Sequence, residues 1–164
     1  MKKIYATLVL VLLFGGCATD KEPHVKSTMF QTVSPTEATL TQKGKDKEFC
    51  VRCGMNLVKY YKTSHAAQDE KHHYQYCSIH CLEEHLGEGV TLKNPKVVDV
   101  DSLKLIPVGD AFYVVGSKVR GTMTRVSKYA FKGEAMAKEF QAKNGGEIMR
   151  FNEALEVTKK DFKR

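Results

Sequence analysis

The chain has 164 residues, 42% hydrophobic and 27% charged, a globular composition, and no apolar stretch reaches the roughly 18 residues of a membrane-spanning helix. Disorder throughout and a polytopic membrane protein are excluded, and the length leaves room for one domain plus a tail rather than a large multidomain enzyme. Twenty-six basic against nineteen acidic residues give a formal charge of +7, but the basic residues are scattered and no nucleic-acid-binding motif accompanies them, so nucleic acid is not an expected partner.

Lys2 and Lys3 precede an apolar run from Ile4 to Phe14 that ends in Gly15, Gly16 and Cys17, so charge, apolar core and small residues follow in signal-peptide order. This resembles a bacterial lipoprotein signal. The resemblance implies removal of residues 1–16 and acylation of Cys17 as the new first residue. Several acyl chains, at about 0.8 kcal/mol per buried CH₂, hold a protein on a membrane almost permanently. The expected location is then the periplasmic side of a bacterial membrane, and Ala18 after Cys17, rather than Asp, points to the outer membrane. Residues 18–47 are rich in Thr, Ser, Lys, Glu and Gln, with Pro23 and Pro35 and no sustained apolar period. They read as a flexible tether reaching roughly 30 Å.

The folded part is expected over 48–164. Ile79, Leu82 and Leu86 recur at helical spacing between Ser78 and the stop signal Gly87. Val98, Asp99, Val100 and Asp101 alternate as a half-buried strand, and 111–115 is a more continuously apolar one. A second helix is expected over 133–143, with Met136 and Phe140 on one face and Asn144, Gly145 and Gly146 ending it, followed by extended chain over 147–151. Residues 74–86 and 128–140 share one layout: an aromatic strand end, a small-residue cap and a short helix. The fold class is therefore α+β, two pseudo-repeated ββαβ units over about 48–106 and 107–157 packed as one domain.

Apart from Cys17, the cysteines are Cys50, Cys53, Cys77 and Cys81: a C-x₂-C pair, a long interval and a C-x₃-C pair, the form of a metal site. Cys77 and Cys81 are four apart at a helix start, with His85 four further along the same face. That face lies roughly opposite the Ile79, Leu82, Leu86 stripe, which places these cysteines away from core packing, and the helix N-terminus is expected to lower their thiol pKa. Three readings are open: two disulfides in an oxidising compartment, a Zn(II) site of four thiolates in a layout resembling treble-clef-like modules, and a soft metal such as Cu(I). Cys53-Gly54-Met55 favours copper, because a thiolate and a thioether two apart at a turn both reach one ion, and soft sulfur donors select Cu(I). Met123, between Thr122 and Thr124 in a Gly-Thr-Met-Thr loop, is a further candidate. His65, His72 and His73 read as surface residues; His80 and His85 share the first helix, and His85, with the better geometry, is a possible further metal ligand.

Cys53-Gly54-Met55-Asn56-Leu57, Ala111-Phe112-Tyr113-Val114-Val115-Gly116-Ser117, Arg120-Gly121-Thr122-Met123 and Gly145-Gly146-Glu147-Ile148-Met149-Arg150-Phe151 together resemble the NosL family, copper-binding accessory lipoproteins of nitrous oxide reductase. The similarity covers about 50–154 in the expected order. It implies a pair of ββαβ units and a non-enzymatic metallochaperone that binds Cu(I) and passes it to nitrous oxide reductase or its copper-assembly machinery. The family's Cys and Met map onto Cys53 and Met55, and Met123 matches the Met of its Gly-rich loop. Cys77 and Cys81 depart from the family pattern, which leaves one metal site or two open.

Two rival functions follow from the cysteines alone. A thiol-disulfide enzyme using Cys50 and Cys53 is permitted by C-x₂-C, although redox pairs normally open a helix and Gly54-Met55-Asn56 is a poor helix start. A zinc-stabilised interaction module would use Cys50, Cys53, Cys77 and Cys81. No nucleophile, base and orienter set and no phosphate loop stand out, so no enzyme is expected.

Overall fold

The structure is a computed structural model that describes residues 29–161; the expected signal peptide and the lipidation site Cys17 lie outside the described residues. After a single turn of 3₁₀ helix at Tyr61–Thr63 come β1 (His65–Gln68), β2 (His73–Tyr76), α1 (Ile79–Gly87), β3 (Lys93–Val98) and β4 (Leu105–Pro107). The second half contains β5 (Phe112–Val115), β6 (Lys128–Phe131), α2 (Glu134–Asn144), β7 (Glu147–Met149) and α3 (Phe151–Asp161).

The first sheet has the order β2-β1-β3-β4 and the second β6-β5-β7, with every adjacent pair antiparallel. Each begins as strand, strand, helix, strand with the first strand in the middle, so the two ββαβ units share one topology. The units join where β3 runs out. Asp99 bridges Ala130 in parallel, the Val100 N–H donates to the Ala130 carbonyl at 2.9 Å, and the Asp99 carboxylate accepts from the Lys132 N–H at 3.1 Å. This is why the alternation expected over 98–101 fails: β3 ends at Val98, and Val98, Asp99 and Val100 are all buried at the junction.

One apolar cluster lies between the units, formed by Ile79, Val97, Ile106, Tyr113, Val115 and Ala154. A second packs α2 on the other face of β5 and β6, with Val114, Tyr129, Phe131 and Ala137. The extended chain expected over 147–151 is shorter than predicted. β7 stops at Met149 and Phe151 opens α3, whose Glu153 side chain accepts from the Arg150 N–H at 2.8 Å, satisfying a donor at the helix start. Helix α3 packs against α1 and β5, and its far end is buried: Asp161 accepts from Thr124 Oγ1 and from Lys128 Nζ, the latter at 2.9 Å.

The tether expected over 18–47 is only partly outside the described residues. From Met29 on, the chain is laid on the domain. Phe30 meets Tyr129 edge-on at 5.2 Å, and Gln31 is buried and bonds the Arg120 carbonyl. The fully buried Gln75 receives the Thr41 N–H at 2.9 Å and donates to the Thr39 carbonyl at 3.2 Å. A paired amide removed from water fixes chain that composition alone marks as coil.

Candidate metal centre

The C-x₂-C pair sits on a closed turn rather than at a helix start. Phe49 bridges Asn56 in antiparallel fashion, the Cys50 N–H donates to the Met55 carbonyl at 2.9 Å, and the Gly54 N–H returns to the Cys50 carbonyl at 2.9 Å. Gly54 has φ +72°, a conformation in which a Cβ is strained, and the reversal brings Met55 back beside Cys53. The Val51 N–H donates to the Gln75 carbonyl at 3.2 Å, tying the turn to β2. Arg52 pairs with Glu88 just beyond α1. Cys77 follows β2 directly, Ser78 holds the N-cap position of α1 without a side-chain capping bond, and Cys81 lies in the first turn of the helix.

Cys77 is the hub of the cluster. Its Sγ lies 3.5 Å from Cys53 Sγ, 3.8 Å from Cys81 Sγ and 3.9 Å from Met55 Sδ, and the sulfurs of Cys50, Cys53, Cys77 and Cys81 all fall within 4.8 Å of one another. Four thiolates about 2.3 Å from a tetrahedral ion sit about 3.8 Å apart, so the donor set fits one metal ion. Cys50, Cys77 and Cys81 are buried while Cys53 is exposed. Met55 is half-buried against the cluster. The four are free thiols, and neither of the disulfides that the spacing permits is present.

Hydrogen bonds from Cys77 and Cys81 hold the Cys50 thiol well below its usual range, against the effect of its burial. The hydrogen bond each makes with Cys50, with burial adding to it, pushes Cys77 and Cys81 up, although for Cys81 the bond with Cys77 acts in the opposite direction. A metal ion that binds the cluster displaces the protons that its thiols still carry. The rise at Cys77 and Cys81 is opposite to the lowering expected at a helix start: the hydrogen bond to Cys50 comes first and burial adds to it.

Two further expectations fail for geometric reasons. Cys77 and Cys81 are not set apart from the core; they are fully buried in one cluster with Cys50, Leu57, Tyr76 and Leu82. Helix α1 is covered on one side by the cysteine turn and on the other by α3, so both its faces are internal. His85 is not at the sulfurs either. Its Nδ1 pairs with Tyr76 Oη at 2.8 Å and its ring meets Tyr74 edge-on at 5.0 Å, one helical turn beyond Cys81.

Met123 follows Thr122 on the loop between β5 and β6. Its backbone has φ +48° and its side chain is 39% exposed, on a groove it shares with Met29, Phe30 and Tyr60. Its loop still touches the centre indirectly. Thr122 Oγ1 lies 2.7 Å from Thr63 Oγ1, which donates to the Cys77 carbonyl at 2.8 Å. Neither Thr63 nor Gln75 carries any sequence sign of its role.

The remaining histidines divide by burial. His65, read as a surface residue, is buried between the Thr63 carbonyl, at 3.1 Å from Nδ1, and the Tyr113 hydroxyl, at 3.2 Å from Nε2; desolvation lowers its pKa to about 4. His72 lies beside Asp69 and His80 beside Glu84, and His73 is exposed on β2. A groove of about 730 Å³ opens beside the cysteine turn, lined by Phe49, Cys50, Val51, Gly54, His73 and Tyr74 among others.

The solved structure of the copper chaperone NosL from Shewanella denitrificans is similar in fold, with a TM-score of 0.54 and 23% identity over 68% of this chain and 92% of that one. A comparison with curated protein sequences gives no match. The NosL family model matches residues 41–158, a span that holds both ββαβ units and every cysteine of the cluster, and the chain belongs to the NosL family.

Proposed function

We propose that the protein is a membrane-tethered Cu(I) carrier on the periplasmic side, anchored through acylated Cys17, that delivers copper for maturation of nitrous oxide reductase. It binds and hands on an ion and catalyses no covalent reaction. Family membership and the copper chaperone of like fold support the copper part of the reading. The lipoprotein-like N-terminus supports the address. The observation that carries the proposal is the gradient of exposure across one sulfur cluster: three buried thiols, then Met55, then the exposed Cys53 on a turn open to solvent. Buried thiolates supply soft, water-excluded donors, and an exposed ligand is where a client's sulfur displaces the ion by exchange.

The test is titration of the reduced chain with Cu(I) against a competing chelator under argon. One Cu(I) per chain is expected, with affinity falling about tenfold or more in Cys53→Ser and Met55→Leu and furthest in Cys77→Ser, which removes the central sulfur. Unaltered affinity in all three variants refutes the assignment. The four-thiol spacing favours a second reading, a resident Zn(II) held by Cys50, Cys53, Cys77 and Cys81. That reading predicts stoichiometric zinc after anaerobic purification that Cu(I) does not displace. A thiol-disulfide role is disfavoured because Cys50 and Cys53 lie on a closed turn and not at a helix N-terminus.

A further inference from the structure

The segment docked from Met29 onward shortens the connection to the expected lipid anchor. Twelve residue steps separate Cys17 from Met29, and they span at most about 42 Å when fully extended. An anchor at Cys17 therefore keeps the surface on which Met29 lies within about 42 Å of the bilayer. That surface is a groove of about 830 Å³ whose exposed large apolar side chains are Met29, 40% exposed, Phe30, 39% exposed, and Met123, 39% exposed. Met123 comes from a loop distant in sequence. Three exposed large apolar side chains converging on one groove differ from the scattered ones that any surface carries.

Cations border it. Lys118 and Arg120 line the groove and are exposed, Lys62 Nζ stands 4.5 Å over the Phe30 ring, and no carboxylate is among the lining residues. The groove is also held in shape: the Tyr129 hydroxyl donates to the Arg120 carbonyl at 2.6 Å, Gln31 bonds the same carbonyl, and Asp161 accepts the Arg125 N–H at 3.1 Å. Large apolar side chains framed by basic ones are what an anionic lipid interface accommodates, the apolar groups entering the acyl boundary and the cations meeting the headgroups.

We propose that this groove is a lipid-docking face that seats the domain on an anionic bilayer surface. The inference rests on the reading that Cys17 is acylated. It has a consequence for delivery: Cys53 is exposed and is not among the residues that line this groove, so a domain docked there leaves Cys53 to its client.

The chain contains no tryptophan, so a Met29→Trp substitution supplies a single fluorescent reporter in the groove and Phe49→Trp a control at the cysteine turn. Each full chain is extracted from membranes and reconstituted into vesicles of phosphatidylcholine, with or without phosphatidylglycerol, containing brominated acyl chains. The Met29→Trp reporter is expected to shift to the blue and lose most of its emission in phosphatidylglycerol vesicles only. The Phe49→Trp control is expected to stay unquenched, and Lys118→Glu with Arg120→Glu to abolish the Met29→Trp response. An unquenched Met29→Trp reporter, equal quenching in both lipids, or equal quenching of the control overturns the proposal; so does binding of polyglutamate at this face without lipid contact, which assigns it to an acidic protein instead. Mass spectrometry of the same preparation reads Cys17 separately. An unacylated chain that still docks through Met29 sinks the anchor and leaves the docking face standing, and an acylated chain whose reporter stays in water does the reverse.

Discussion

His65 and Cys77 illustrate how far the meaning of a residue depends on what surrounds it. His65 is enclosed, and desolvation lowers its pKa to about 4. The unfolded chain takes up a proton there from about pH 6.5 downward and the folded chain only near pH 4, so the unfolded state binds more protons in between and stability falls as the pH drops. At about 1.4 kcal/mol per unit, the loss approaches about 3 kcal/mol by pH 4. His65→Gln is expected to flatten this decline when urea unfolding is compared at about pH 7 and about pH 4.5, and an unchanged slope contradicts the assignment. Cys77 differs from a generic buried thiol because Cys53 and Met55, from a distant turn, join its neighbour Cys81 within 3.9 Å of it.

At the level of elements, α3 acts as a strap across both units. Phe151 at its start packs into the inter-unit cluster and against the cysteine cluster, and Asp161 at its end meets Lys128 of β6 with both side chains only 1% exposed. Burial pushes Lys128 down, while the hydrogen bonds of Thr124 and Lys128 overcome the burial of Asp161 and hold its carboxyl low. Asp161→Asn leaves a buried ammonium without its counter-charge and is expected to cost about 3 kcal/mol or more in thermal or denaturant unfolding. Lys128→Met combined with Asp161→Leu is expected to recover most of that, since a well-packed apolar pair replaces a buried ion pair at little cost. A single variant that melts like the parent contradicts the strap. The helix was legible in principle: Phe151, Ala154, Leu155 and Thr158 recur at helical spacing, but the preceding extended motif masks its start.

For the whole molecule, the question is whether the metal holds the fold together or visits a fold already made. Two of the three apolar clusters contain no cysteine, and the strands of both sheets pair with one another. The reduced, metal-free chain is therefore expected to melt cooperatively with its helix and strand content intact. Cu(I) loading is expected to slow amide exchange at Cys50, Gly54 and Leu57, whose N–H groups close the turn, and to leave β5 and β6 unchanged. A chain that unfolds when chelated is instead a zinc-stabilised domain.

The sequence by itself determined what is local. It carries the two ββαβ units, their helix limits within about two residues, the two cysteine pairs and the Cys53-Gly54-Met55 turn, because periodicity, caps and short spacings act over one or two turns of chain. Tertiary structure alone decided which of these features meet. The two pairs converge across 23 intervening residues because Val51 bonds Gln75 and β2 delivers Cys77 beneath the turn. Met123 is carried to another groove by a loop that Asp161 and Thr63 hold, and His85 is claimed by Tyr76. Part of the expected tether is docked on the domain by the buried amide of Gln75. Spacing along the chain constrains the neighbours of a residue for only a few positions, whereas proximity in space follows from long-range strand pairing and from burial of polar groups that have nothing to mark them in the sequence.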